Sequence, residues 1–251
     1  MATLGKNEKK MWADNLYIYE AASDVLASKI KLVKMEYDRI YRPRGYCDIQ
    51  KITSRIKKVE SVASKLEKDG YTFTNDNIID HIHDVVGHRV VCLTLNDLTL
   101  FADLLSKSIC NTQGFDLLGY KDFINNPKES GYRSLHLRLG VPVTFSNEHH
   151  DVTCEVQLRT TNMDSFAQLE HHSGYKPVCG VPDFLTKQLI SLSAMGNGVD
   201  TSVSSIMLPS GDVLSYNDVI ENIKKMTIES NPNEKHEESN TGILVKKKIK
   251  K

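Results

Sequence analysis

The segment Arg89-Val90-Val91-Cys92-Leu93-Thr94 restricts the fold more than any other stretch of the chain. It is a near-continuous apolar run without the alternation of a half-exposed strand, so it reads as a strand covered on both faces. Such a strand needs a layer on each side. Asp97 to Cys110 has helical spacing and supplies one, and more strand-like segments follow. The expected fold class is therefore α/β (α+β), a mixed β-sheet flanked by helices.

Ala22, Leu26, Ile30, Val33, Tyr37 and Ile40 recur at steps of three and four, which predicts a helix from about Glu8 to Ile40 that Arg42-Pro43-Arg44-Gly45 ends. Ile52 to Lys57 alternates like a strand, and Val59 to Lys68 returns to helical spacing before Asp69-Gly70. Tyr132 to Val143 and Asp151 to Arg159 read as strands joined across Ser146 to His150. Thr161 to His172 reads as helix, with more helix around Asp183 to Met207 and Tyr216 to Thr227.

A length of 251 residues sits near the upper end for one domain. The expected division is an N-terminal helical region (1–45), a main domain (46–178), a C-terminal helical region (179–228) and a polar tail (229–251). The tail ends in Lys246-Lys247-Lys248-Ile249-Lys250-Lys251. Like-charge blocks of this kind are ordinarily solvated and disordered, so contact with tRNA or the ribosome is the less economical reading.

The 32 basic residues balance the 32 acidic ones, so net charge favours no class of partner. With 40% hydrophobic and 25% charged residues, neither a disordered nor a membrane composition applies. The five cysteines are widely spaced and form no C-x-x-C pair, which points to reduced thiols. The N-terminus lacks a signal-peptide core and no apolar run reaches about 18 residues, so the expected location is cytoplasmic.

Period-two alternation places Glu155, Gln157 and Arg159 on one strand face and Cys154, Val156 and Leu158 on the other. An acid, an amide and a guanidinium together could hold a metal and phosphate oxygens; an exposed sheet face with cross-strand ion pairs accounts for the same pattern. Asp84 lies at the mouth of the buried strand. Paired with Glu155 it would make the two-carboxylate site that Mg2+ takes when substrate phosphates complete its shell.

Arg55, Lys57, Lys65, Lys68 and Arg89 could surround a triphosphate, Arg55 and Lys57 standing just before a helix start, where phosphate is favoured. The stretch Tyr120 to His136 combines Pro127 and Gly131 with Lys128, Arg133, Tyr132 and His136, groups suited to phosphate, base and sugar. It does not match a P-loop.

Ser54-Arg55-Ile56-Lys57, Asp84-Val85-Val86-Gly87-His88-Arg89, the Tyr120 to His136 stretch, and Glu155-Val156-Gln157-Leu158-Arg159-Thr160 with Glu170-His171 and Tyr175-Lys176 occur in that order. Together they resemble the synthetase domain of RelA/SpoT-type alarmone synthetases, over roughly Gln50 to Lys176. The length is similar to that of the short, stand-alone members.

The resemblance implies a sheet of the nucleotidyltransferase type with N- and C-terminal helical appendages. It implies transfer of the β,γ-pyrophosphate of ATP to the 3′-hydroxyl of GTP or GDP, with AMP released and Mg2+ as cofactor. Arg55 and Arg89 would sandwich the adenine, while Lys57, Lys65 and Lys68 would meet ATP phosphates. Asp84 would bind metal, and Glu155 would bind metal or act as base. Tyr132 would stack on the guanine, Lys128 and His136 would meet acceptor phosphates, and Lys121, Gln157, Asp164 and Glu170 would complete the acceptor pocket. Such short members commonly form homo-oligomers.

The sequence departs from the family pattern with Lys68 and Lys121 where relatives often carry Arg, Phe166 in place of Trp, and Asp164 in place of Asn. Two alternatives come from the same residues. Lys29, Lys31 and Lys34 would suit a relative that modifies the tRNA 3′ end, and adenosine alarmones are a further product of such toxin-type relatives. His81 and His83-Asp84 are reminiscent of a metal-dependent HD phosphohydrolase.

Overall fold

A computed structural model of the chain describes residues 4–172, 183–206, 214–230, 236–238 and 244–246. Its centre is a five-stranded sheet of β1 (Ile49–Ile56), β2 (Val86–Cys92), β3 (Asp116–Asp122), β4 (Leu135–Thr144) and β5 (His149–Thr160), in the order β1-β2-β5-β4-β3. β2 and β5 run parallel and the remaining neighbours antiparallel, so the sheet is mixed, as the sequence predicted.

The doubly covered strand is β2, with Val90 and Val91 both buried. It ends at Cys92 rather than Thr94 because Thr94 caps the next helix: its side chain accepts from the Asp97 amide. Asp97, 1% exposed, answers by accepting from the Thr94 amide and hydroxyl, the Cys47 amide and the Tyr37 hydroxyl. This one carboxylate thus joins the end of α1 (Lys6–Ile40) to the start of α4 (Leu95–Cys110).

Those two helices cover one sheet face. Leu26, Ile30 and Val33 of α1 and Leu98, Phe101 and Leu105 of α4 share a core with Val90, Leu137, Val156 and Leu158. Val219 and Ile223 of α7 (Tyr216–Ser230) belong to the same core. Smaller helices α2 (Val59–Lys68) and α3 (Asn75–His81) pack on a second cluster around Val62, Leu66, Ile78 and Trp12. α5 (Thr161–His172) follows β5, and α6 (Asp183–Ile206) packs against α5.

The structure differs from the sequence reading in three places. β3 occupies residues read as loop, its alternation broken by a register shift between Leu117 and Gly119. α3, at seven residues, is too short for helical periodicity to show. In the segment expected to be a disordered tail, α7 continues to Ser230, and β6 (His236–Glu238) pairs with β7 (Leu244–Lys246), which lies beside β3.

Candidate active site

Strand register decides which side chains share the sheet face that α1 and α4 leave open. Gly87 of β2 stands between Arg55 of β1 and Glu155 of β5, and Glu155 in turn faces Arg138 of β4. Two residues along, Arg89 stands between Thr53 and Gln157, Gln157 faces His136, and His136 faces Lys121 of β3. Residues far apart in sequence thereby form two adjacent polar rows.

At the β1 side, Arg55, Gly87, Arg89, Gln157 and Lys51 help line a cavity of about 270 Å³. Gly87 has no side chain, and Arg55 lies over it, with Cγ and Nε 3.8 and 3.9 Å from where a Cβ would stand. Two guanidinium groups therefore border one shallow pocket, an arrangement suited to a flat π-system.

Above it, Asp84 precedes β2 and is held by two lysines. Lys57 Nζ donates to Oδ2 at 2.6 Å and Lys65 Nζ to Oδ1 at 3.0 Å. Burial opposes ionisation of this carboxyl, but the Lys57 hydrogen bond and the charges of both lysines leave its pKa below the usual range. Lys68 is exposed on the last turn of α2 and makes no ion pair among the described residues, so it does not join this cluster.

Glu155 sits in the middle of the sheet. Its Oε1 accepts from Gln157 Nε2 at 2.7 Å, and its Oε2 lies 3.3 Å from His136 Nδ1. Burial would raise its pKa, yet the His136 imidazole, the Gln157 hydrogen bond and the charge of Lys121 outweigh that and hold it well below the carboxylate range. Lys121 is itself shifted down, first by burial, with Glu155 acting in the opposite direction.

From Glu155 a chain of hydrogen bonds runs on. His136 Nε2 is 2.8 Å from the Tyr132 hydroxyl, and Arg159 Nη2 donates to that hydroxyl at 2.6 Å. Arg159 can only donate, so the Tyr132 oxygen accepts from it, and the same hydroxyl links Arg159 to His136, whose other ring nitrogen lies against Glu155. The Tyr132 ring is 6% exposed, with Lys128 Nζ 4.5 Å and the Arg159 guanidinium 5.1 Å from its centroid. It is covered rather than an open platform.

The loop between β3 and β4 owes its shape to neighbours outside it. Asp122 accepts from the amides of Ile124 and Asn125 and from the Tyr216 hydroxyl of α7 at 2.8 Å. Gly131 has φ +88°, and Ser193 of α6 donates to its carbonyl. Arg133 donates to the Ile124 carbonyl, and Ser134 to the Leu158 carbonyl at 3.1 Å.

Asp164, expected among the acceptor contacts, instead binds arginines. One oxygen, Oδ1, lies 3.1 Å from both Arg89 Nη1 and Arg159 Nη1. Glu170 is half-buried further along α5, while Tyr175 and Lys176 lie outside the described residues. Sequence reasoning overlooked Arg138, for which the alternation Leu135-His136-Leu137-Arg138-Leu139 is a usable signal. It considered His83 only in the HD phosphohydrolase alternative; the pKa of this residue is pushed down to about 4 by burial and by Arg138, Lys65 and Lys121. Nothing in local sequence announces that environment.

Asp84, just before β2, and Glu155, within the neighbouring parallel strand β5, offer hard carboxylate oxygens, both held ionised, and this donor set fits Mg2+. Among the described residues no group of three His, Cys, Asp or Glu side chains is placed to hold a metal, and His81 stacks on Tyr71 at 3.7 Å. Of the lysines considered for tRNA, Lys29 donates to Thr112 at 2.6 Å and Lys34 pairs with Asp38 and Asp48. Among the described residues no helix is long and apolar enough to cross a membrane.

Residues 54–178 match a family described as the region found in RelA / SpoT proteins. The chain is 33% identical to the GTP pyrophosphokinase YwaC of Bacillus subtilis over 195 residues, 78% of this chain and 90% of that protein. Small alarmone synthetase 2 of B. subtilis superposes with a TM-score of 0.66 at 32% identity, covering 78% of this chain and 97% of that one. Small alarmone synthetase 1 of the same organism, solved with its product pppGpp, gives 0.67 at 26% identity, covering 78% and 96%.

Proposed function

The chain belongs to the RelA/SpoT family, and on that premise we propose that it is a GTP pyrophosphokinase, moving the β,γ-pyrophosphate of ATP to the 3′-hydroxyl of GTP or GDP to make (p)ppGpp and AMP. The observation that carries this reading is the register of the open sheet face. It sets Arg55 and Arg89 on one side of Glu155 and Lys121 and His136 on the other, with Tyr132 hydrogen-bonded to His136. One carboxylate between a pocket bordered by two guanidinium groups and a cluster of lysine, tyrosine and histidine suits a transfer between two nucleotides.

In this mechanism Arg55 and Arg89 hold the adenine over Gly87. Lys57 and Lys65 turn from Asp84 to the phosphates, and Asp84 with Glu155 would hold Mg2+. The bound ion would neutralise charge on the phosphates. Glu155 receives the proton of the ribose 3′-hydroxyl, and its low pKa keeps it in the accepting form. His136 and Gln157 fix its two oxygens. Lys121 and Lys128 supply positive charge to the acceptor, and Tyr132, once uncovered, takes the guanine. Glu170 shapes the far side of that pocket.

The reading extends to a cytoplasmic enzyme that self-associates. Support for association comes from exposed apolar residues on α6, among them Phe184, Met195 and Ile206 at 59, 69 and 82% exposure. Light scattering on the eluting protein tests it. The activity is tested by incubating the protein with γ-labelled ATP and Mg2+ and offering GTP, GDP, GMP, ATP or deacylated tRNA separately. Label in a guanine nucleotide is expected, and label confined to tRNA or to an adenine nucleotide would overturn the assignment.

A further inference from the structure

Arg89 and Arg159 extend from adjacent parallel strands, and both reach the same oxygen of Asp164, each at 3.1 Å. Asp164 is 5% exposed and Arg159 4%. Two guanidinium groups cannot share so dry a place without an anion between them. The other Asp164 oxygen accepts from Gln168 Nε2 at 2.9 Å, so both oxygens already have protein partners.

The two arginines serve different sites. Arg89 borders the pocket with Arg55 and Gly87. Arg159 donates to the Tyr132 hydroxyl at 2.6 Å and to the Gln157 side-chain oxygen Oε1 at 2.8 Å, and through Tyr132 it reaches His136. In both arginines Nε is buried without a hydrogen-bond partner, so neither fork is fully committed in this arrangement.

We infer that Asp164 is a positioning residue that couples the two nucleotide sites, holding Arg89 and Arg159 on one oxygen so that filling either site orders the other. This rests on the assignment of the pockets to ATP and the guanine acceptor. A nucleotide that fixes Arg89 fixes the shared carboxylate. The carboxylate then fixes Arg159 and the tyrosine beyond it, so the second nucleotide meets a site whose ordering cost is already met.

Calorimetric titration of the full chain with Mg2+ tests this. The Kd of a non-hydrolysable ATP analogue is measured with and without saturating GDP, and that of GDP with and without the analogue. Wild type is expected to show each ligand tightening the other about fivefold or more, by the same factor in both directions. Asp164→Asn keeps the shape and removes the charge, and should bring the factor to within about twofold of one. Asp164→Glu should restore part of it, and Gln168→Ala, which leaves the charge in place, should retain it.

Should Asp164→Asn melt below the titration temperature, Arg159→Lys carries the test, because it keeps a charge but gives up the fork; the same loss of coupling is expected. A wild-type factor of one, or a wild-type factor surviving in either variant, overturns the coupling while leaving the enzyme assignment standing. A wild-type protein that binds neither nucleotide overturns the assignment and the coupling together.

Discussion

Glu155 has both carboxylate oxygens engaged, by Gln157 and His136, in a buried setting that still favours its charged form. A positioned base of this kind contributes about 100- to 10,000-fold, so Glu155→Gln should lose at least two orders of magnitude in kcat while the ATP analogue still binds. Wild-type turnover in that variant would remove the role. His83 gives a second prediction at this scale. Its folded pKa of about 4 lies below the ordinary histidine value of 6.5, so between those values the unfolded chain binds more protons and stability rises with pH. The stabilisation it contributes is complete above about 6.5 and is lost as pH falls toward 4. In metal-free buffer the melting temperature of wild type should drop more steeply over that window than that of His83→Gln; equal slopes would sink the claim. The types and positions of Asp84, Glu155, Arg55 and Arg89 were legible in the sequence because each interrupts or alternates with an apolar pattern. The pairing of Asp164 with two arginines was not, since it depends on strand register and on the pitch of α5, neither of which a local pattern records.

Among the elements, α1 and α4 were legible because their buried residues repeat at three and four. β3 was hidden by its irregular register at Gly119, and with it the fact that Lys121 is a strand residue facing His136. Least legible was the use of α6 and α7, whose apolar stripes say that they pack but not on what. They hold the β3–β4 loop through Ser193 to Gly131 and Tyr216 to Asp122. Gly131 is the position where this can be tested. Its φ of +88° is strained for any L side chain, and an added Cβ would meet Ser193 Cβ at 2.8 Å. Gly131→Ala should cost about 1–2 kcal/mol from the backbone, with the contact to α6 adding to it. The expected result is a lower urea midpoint and a KM for GDP raised more than that for ATP, because the loop lies on the acceptor side. An unchanged KM for GDP would show that α6 does not shape that site.

At the scale of the whole molecule, α7 is part of the core rather than an addition to it. Val219, Ile220 and Ile223 of α7 are 0, 8 and 0% exposed and share a cluster with α4, β3 and the central strands. Burying one such side chain contributes about 1.5–3 kcal/mol. Three of them together approach the whole stability of a typical domain, about 5–15 kcal/mol. Removing α7 would also expose the surfaces of α4 and β3 that it covers and take Tyr216 from Asp122, loosening the loop on which the acceptor site depends. A chain ending at residue 213 should therefore lack a cooperative melt by circular dichroism at neutral pH, even though residues 54–178 carry the family match. The single substitution Ile223→Ala, at about 2–5 kcal/mol, should lower the melting temperature without abolishing the transition. If the truncated chain melted cooperatively and made (p)ppGpp at the wild-type rate, α7 would be an appendage after all, and the support drawn from it for the acceptor loop would have to come from α6 alone.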